Sequence, residues 1–358
     1  MSNQTNSDNK TFKALVVEET SEGTFAKSIQ ERHVSDLPDN DLLIEVHYSS
    51  LNYKDAMSAS GNKSITKNYP HTPGIDAAGV VVSDKSGTFS EGQEVVVFGY
   101  DLGMDTAGGL GQMIAIPADW ALPCPEALSL KEAMIYGTGG LTAALSIQKL
   151  EKMGAKPSDG PVAVSIQKLE KMGAKPSDGP VAVSGATGGV GTISIAILSQ
   201  LGYESIAFSG KPEQSEHLKE LGATEVRHRD TINEVGNRPV GRPLWANAID
   251  TVGGDYLANL LKQTKPGGAV TTCGLAASAS FSMTVLPFIT RAVSLLGIDS
   301  VFIPLEDKKA IWQRVATDMK LPNLEQYAEE ITLEQTPEYL ERFIDGKAVG
   351  RYVVNVRG

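Results

Sequence analysis

Apolar and polar positions change rhythm partway along the chain. From Phe12 to about Leu122, short apolar runs alternate with turn residues. Residues 14–17 (ALVV), 42–46 (LLIEV), 78–82 (AGVVV) and 94–97 (EVVV) read as strands, with Gly and Pro between them. Strands at such spacing predict a small β-barrel-like domain. From about Gly137, apolar runs alternate with helix-like stretches, the βαβ signature of a doubly wound parallel sheet in an α/β protein. Its strand candidates are Val181–Val183, Ser205–Phe208, Glu225–Arg227, Ala248–Ile249, Ala269–Thr272 and Leu295–Ile298. Helix and strand mix again near the C-terminus, and the last strand, 350–356 (GRYVVNV), is expected to rejoin the first domain. The pattern thus predicts a nucleotide-type domain, 137–304, inserted into a catalytic one, 12–136 and 305–358, behind a polar, disordered N-terminus, 1–11.

Residues 184–191 (SGATGGVG) stand between the apolar run 180–183 and the helix-like run 192–198 (TISIAIL). Strand, small-residue turn and helix in that order form a dinucleotide-binding corner. Ala186, Gly188 and Gly191 occupy the three glycine positions of G-x-G-x-x-G, with Ala at the first. Small residues let the backbone turn tightly. The helix N-terminus then offers free N–H groups and a positive dipole end to a pyrophosphate.

Just before this corner the chain repeats itself. Residues 146–164 (SIQKLEKMGAKPSDGPVAV) recur without a difference as 165–183. Solenoids need at least about three copies, so two perfect copies indicate a tandem duplication instead. Only the first helical half continues from Leu141–Leu145, and only the second strand half, Pro180–Val183, leads into the glycine turn. The first helix and the second strand are expected to take the native places, with residues near 155–173 looped out. Lengthening a surface loop costs little entropy.

The length of 358 residues suits two domains with a sizeable core. A net charge of −11 without a basic block argues against a nucleic-acid partner. Cys124 and Cys273 match no disulfide or metal framework. Reduced thiols, no signal-peptide core and no membrane-length apolar run give a cytoplasmic expectation with no membrane association. The histidines, His33, His47, His71, His217 and His228, lack ligand spacing, so no metal site is expected.

An NAD-specific site presents Asp or Glu about 20 residues beyond the glycine turn, at the end of the second strand. Here that strand ends in Ser209, Gly210 and Lys211, and Arg229 stands where the next strand ends. Hydroxyl and cation suit a ribose 2′-phosphate, which a carboxylate would repel. The expected cofactor is NADPH.

These residues carry a resemblance to the zinc-independent, quinone oxidoreductase-like side of the medium-chain dehydrogenase/reductase superfamily. Residues 50–55 (SLNYKD), 73–79 (PGIDAAG), 287–289 (PFI) and 297–301 (GIDSV) resemble its YhdH/YhfP-type branch, which includes NADPH-dependent acrylyl-CoA reductase. The likeness runs from about Phe12 to Val356, with the duplication as its one large departure. It implies a GroES-like β-barrel catalytic domain beside a Rossmann domain, and a homodimer in which residues 281–293 form an edge. It also implies that Tyr53 lines the nicotinamide end of the cleft and that Thr187, Gly188, Gly189 and Val190 hold the pyrophosphate. Ser209, Gly210, Lys211 and Arg229 would then grip the 2′-phosphate, while Leu275, Ile289 and Ser300 pack on or hydrogen-bond the cofactor. Gly346 stands where the branch often has a polar cofactor contact, which is not carried over. Asn52 and Ile75 occupy positions that hold zinc ligands in the alcohol dehydrogenases.

The implied reaction is conjugate reduction of a short α,β-unsaturated acyl thioester. Without a Lewis acid, reducing a conjugated C=C is easier than polarising a ketone. Tyr53 is the candidate proton donor and packing residue, and Asn52 either donates to substrate or caps the adjacent turn. Lys54 and Asp55 are expected to pair and steady the loop, and Lys63, Lys67 and Arg291 are the basic candidates for a CoA group. The alternatives are an NADPH:quinone oxidoreductase and a non-catalytic NADPH-binding or redox-sensing protein.

Overall fold

A computed structural model describes residues 10–153 and 179–358. The segment expected to loop out and most of the N-terminus expected to be disordered lie outside the described residues. The described chain divides into two compact units. One comprises residues up to Gly139 together with Val301–Ala316 and Asn323–Gly358, the other Gly140–Ser300 with Thr317–Pro322.

The first unit is built on a seven-stranded sheet. Its path runs β14 (Ala328–Thr332), β15 (Arg351–Asn355), β3 (Leu42–Ser50), β4 (Asp76–Asp84), β5 (Glu94–Phe98) and β7 (Ala121–Pro123), with β6 (Met113–Ile116) paired to β3. The C-terminal strand β15 thus joins an N-terminal sheet, antiparallel to β3 and parallel to β14. Leu42, Ile44, Val46, Val95, Val97, Ile114 and Val354 are buried in one core. A separate ribbon pairs β1 (Thr11–Ser21) with β2 (Thr24–His33). Strand β2 carries no apolar run, since its residues 24–33 (TFAKSIQERH) alternate between exposed and half-buried. Pairing with β1, rather than burial, holds it extended, so hydrophobic patterning missed it.

The second unit holds six parallel strands in the order β10-β9-β8-β11-β12-β13. They are β8 (Val181–Val183), β9 (Ser205–Ser209), β10 (Glu225–His228), β11 (Asn247–Asp250), β12 (Ala269–Thr272) and β13 (Ser294–Gly297). Counted from β8, this order is 3-2-1-4-5-6, the doubly wound dinucleotide-binding topology. The order reverses between β8 and β11, and ligands of such sheets bind outside the strand ends there. Strand β8 is the second copy of the duplicated strand. The first copy of the duplicated helix lies in α2 (Leu130–Lys152), continuous with Leu141–Leu145. Helix α2 is interrupted at Gly137, whose φ of 50° and ψ of −159° break the helical path.

Candidate functional sites

In the second unit the turn after β8 enters α3 (Gly189–Gln200). The positive φ of 58° falls on Gly185, one residue before the first position of the glycine pattern. A Cβ on Gly185 would lie 2.3 Å from Thr251 Oγ1, so position and conformation both demand glycine. A Cβ on Gly191 would lie 2.3 Å from the Gly185 carbonyl oxygen and 2.8 Å from Ala186 Cα. Here glycine lets the helix press against its own entry turn. Residues 191–198 are all buried, Thr192 and Ser194 among them, so α3 is an internal helix. Its N-terminus, with Thr187, Gly188, Gly189 and Val190, therefore sits at the carboxyl end of β8. The leading N–H groups of such a helix have no intrahelical acceptor.

Hydrogen bonds across the strand ends fix the turn. Ser184 Oγ donates to Asp250 Oδ1 at 2.8 Å and accepts from the Thr251 N–H at 3.0 Å. Thr251 Oγ1 donates to the Ser184 carbonyl at 2.9 Å. The buried Asp250 carboxylate also accepts from Thr272 Oγ1 at 2.9 Å and from the Gly253 N–H at 3.0 Å. One carboxylate at the end of β11 thereby ties β8, β11 and β12 together at the reversal point. Sequence reasoning did not single it out. The available signal was an Asp ending an apolar strand and followed by Thr-Val-Gly-Gly.

At the end of β9 the structure brings together four of the expected residues. Ser209 is buried, and its Oγ accepts from the Lys211 N–H at 3.0 Å. Arg229 follows β10 and lies over Gly210, where a Cβ would come within 2.8 Å of its Nε. Burial lowers the Lys211 ammonium below the usual lysine range, against the pull of Glu213. Other expected residues are more dispersed. Leu275 is 57% exposed in the loop after β12, and Ile289 is 72% exposed on α6 (Leu286–Arg291). Ser300 is buried, its Oγ accepting from Thr142 Oγ1 at 3.0 Å.

In the first unit, Tyr53 opens the short helix α1 (Tyr53–Ala59) and is 46% exposed. Beneath it lies a buried polar frame. Asp55 is fully buried, with Oδ2 accepting from the Asn52 N–H at 2.7 Å and Oδ1 from the Ile75 N–H at 2.9 Å. The expected Lys54–Asp55 pair is therefore corrected, because both Asp55 oxygens turn inward to backbone donors. Burial pushes its carboxyl up to about 7, with the neighbouring Asp76 charge adding to the rise and the backbone donors opposing it.

Asp76, also fully buried, accepts from Asn52 Nδ2 at 2.9 Å, the Thr138 N–H at 2.9 Å, Ser50 Oγ at 2.5 Å and Thr138 Oγ1 at 2.5 Å. Its charge partner is the buried Arg351, 3.9 Å away. The Arg351 guanidinium donates to the Ile135 carbonyl at 3.0 Å, Asn52 Oδ1 at 3.2 Å and Ser50 Oγ at 2.8 Å. Burial lowers its pKa, against the pull of Asp76 and Asp55. Gly137 and Gly139 leave room for it, since a Cβ on Gly137 would lie 2.4 Å from its nearest nitrogen.

Asn52 gives both amide protons to the chain, one to Asp76 and one to the Ser50 carbonyl at 3.2 Å. That geometry positions Tyr53 and leaves no amide proton for a substrate. Arg351 and Thr138 were not singled out from sequence, because nothing local distinguishes them.

The basic candidates for a CoA group are engaged elsewhere. Lys63 pairs with Glu19 at 2.9 Å and Lys67 with Asp105 at 3.2 Å, while Arg291 donates to the carbonyls of Gly241, Lys262 and Thr264. Among the described residues, no group of three or more His, Cys, Asp or Glu side chains could hold a metal ion.

Two family models match the chain: an alcohol dehydrogenase GroES-like domain over residues 38–126 and a zinc-binding dehydrogenase over residues 189–317. The chain is 39% identical over 348 residues to YhfP of Bacillus subtilis, named as a candidate quinone oxidoreductase, covering 96% of this chain and 99% of that one. It is 40% identical over 345 residues to the probable acrylyl-CoA reductase AcuI of Escherichia coli, covering 96% and 100%. The acrylyl-CoA reductase AcuI of Ruegeria pomeroyi is 38% identical, with 96% and 99% covered. Among solved structures, the yhdH oxidoreductase of Salmonella enterica in complex with NADP superposes with a TM-score of 0.88 at 39% identity, covering 96% and 100%. Bacillus subtilis yhfP with NAD bound gives 0.89 at 39% identity, covering 97% and 100%. A GroES-like domain and a doubly wound dinucleotide-binding domain together define a medium-chain dehydrogenase/reductase. The chain belongs to that superfamily of oxidoreductases, in its quinone oxidoreductase-like, YhdH/YhfP-type branch.

Proposed function

We propose that this protein is an NADPH-dependent reductase of the C=C bond in a short α,β-unsaturated acyl thioester of the acrylyl-CoA type. The observation that carries the substrate class is the full-length likeness, at 40% identity, to a probable acrylyl-CoA reductase. The cofactor reading is supported by the turn and the cation cluster of the second unit. Gly185 and Gly191 let the turn close tightly against Thr251 and against the start of α3, where a pyrophosphate would meet the helix N-terminus with Thr187, Gly188, Gly189 and Val190 beside it. Lys211 and Arg229 flank Ser209 and Gly210, a donor set that matches a 2′-phosphate. Leu275, Ile289 and Ser300 are assigned to pack on or hydrogen-bond the cofactor.

When bound, the reduced nicotinamide supplies a hydride, which adds to the β-carbon while a proton reaches the α-carbon, giving the saturated thioester. The chain's part is to orient the thioester carbonyl and move that proton. Tyr53 is assigned both tasks, since a phenol donates a hydrogen bond to developing enolate charge and relays a proton. Asn52, Asp55, Asp76 and Arg351 act through it as positioning residues. The same reading carries a homodimer through residues 281–293 and the sheet edge at β13, where Phe281, Val285 and Ile289 are exposed.

A second reading, NADPH:quinone oxidoreductase, is favoured by the name of the Bacillus subtilis relative. The third reading, a non-catalytic NADPH-binding or redox-sensing protein, would bind NADPH without acceptor-dependent oxidation; burial pushes the Cys124 and Cys273 thiols up to about 12, which disfavours thiolate chemistry at either. No helix among the described residues is long and apolar enough to cross a membrane. Steady-state NADPH oxidation with acrylyl-CoA, with a quinone and with no acceptor distinguishes these readings. Turnover dependent on acrylyl-CoA is expected, and Tyr53→Phe should lower it at least about tenfold. Turnover with the quinone alone would overturn the thioester reading, and an unchanged rate in Tyr53→Phe would remove Tyr53 as proton donor.

A further inference from the structure

Beside the cations assigned to the 2′-phosphate stands a carboxylate that this assignment does not use. Asp230 follows Arg229 in sequence, and its Oδ1 lies 4.0 Å from Arg229 Nε. Tyr256 on α5 (Gly254–Lys262) donates its hydroxyl to Asp230 Oδ1 at 3.4 Å, and the carboxylate is otherwise exposed. On the other side, the Asp230 N–H donates to His228 Nδ1 at 3.4 Å. The Arg229 guanidinium in turn rests on Gly210 at the end of β9, so the Asp230 charge stands beside a cation of the patch that would face the adenosine ribose.

We propose that Asp230 is a specificity-determining residue that holds the preference for NADPH over NADH below what Lys211 and Arg229 alone would give. The inference rests on the cofactor reading above. Two effects act in the same direction. Asp230 shares the Arg229 guanidinium, so a bound 2′-phosphate must compete for it. Its own charge also repels a phosphate monoester directly, and this repulsion is screened by salt because the group is exposed. Neither effect touches a cofactor that ends in a 2′-hydroxyl, which a nearby carboxylate accepts readily.

The test is fluorescence titration of NADPH and NADH into the intact protein, Asp230→Asn and Arg229→Ala, at low and high ionic strength. Asp230→Asn keeps the size and the hydrogen-bonding capacity while removing the charge. It should tighten NADPH about three- to fivefold at low salt, lose most of that gain at high salt, and leave NADH unchanged or weaker. An unchanged NADPH affinity in Asp230→Asn, with Arg229→Ala still weakening NADPH, would overturn the role of Asp230 and leave the cofactor reading standing. Equal tightening of both cofactors would also overturn it. If Arg229→Ala binds NADPH as well as the parent does, the 2′-phosphate reading fails, and the role of Asp230 fails with it.

Discussion

The candidate sites of the two units are built in opposite ways. The nucleotide site is local. Residues 184–191 supply its turn and helix start in one stretch, and glycine works there by letting the backbone pack tightly against Thr251 and against itself. The reducing site is dispersed. Asp76, Thr138 and Arg351 come from three separate elements to meet Ser50, Asn52 and Asp55 of the run 50–55, and its Ser50–Arg351 hydrogen bond spans 301 residues. It works through side chains that must neutralise each other away from water. A backbone device therefore shows as a contiguous motif, whereas a buried ionic frame leaves only isolated polar residues in otherwise apolar runs.

The largest effect is expected where the ionic frame loses its cation. Arg351→Met strands the buried Asp76 carboxylate and should destabilise the first unit by about 3–5 kcal/mol in urea unfolding. Adding Asp76→Asn should recover part of that loss, because the uncompensated charge is removed. Equal stability of the single variant and the parent would show that the frame is not electrostatically coupled. Gly191→Ala tests the local site. Its Cβ meets backbone at 2.3 Å, which a flexible neighbour cannot relieve, so a loss of about 1–3 kcal/mol is expected together with weakened NADPH binding. If stability falls while cofactor affinity holds, the turn is a packing device only.

A third effect concerns pH. Asp55 has its carboxyl raised from 3.8 to about 7 by burial and by Asp76. The folded protein then keeps a proton that the unfolded chain releases, so this contribution to stability is present in full below about pH 4 and is lost as pH rises through about 7. Asp55→Asn stays neutral and should flatten that part of the curve, gaining on the parent as pH is raised from about 5 to about 8. Parallel stability curves for variant and parent would place the titration elsewhere.

Much of the fold was legible beforehand, for a physical reason. Strands of a parallel sheet are buried on both faces, so β8, β9, β11 and β12 read as apolar runs. The ribbon strand β2 lacks that burial and was invisible to patterning. In the site, the cluster of Ser209, Gly210, Lys211 and Arg229 could be anticipated because strand ends in a doubly wound sheet converge. Asp250 and Arg351 could not, since each acquires its partners only when distant strands meet.

By itself the sequence determined the alternation of elements, the glycine turn, and which copies of the duplicated helix and strand have usable neighbours. Those properties depend on residues adjacent in the chain. The tertiary structure decided that the positive φ belongs to Gly185, that Asp55 turns inward rather than toward Lys54, and that Asn52 gives its amide protons to the frame. It also set Arg229 between Gly210 and Asp230. Each of those outcomes depends on which polar groups are left to satisfy one another once water is excluded, and only packing settles that.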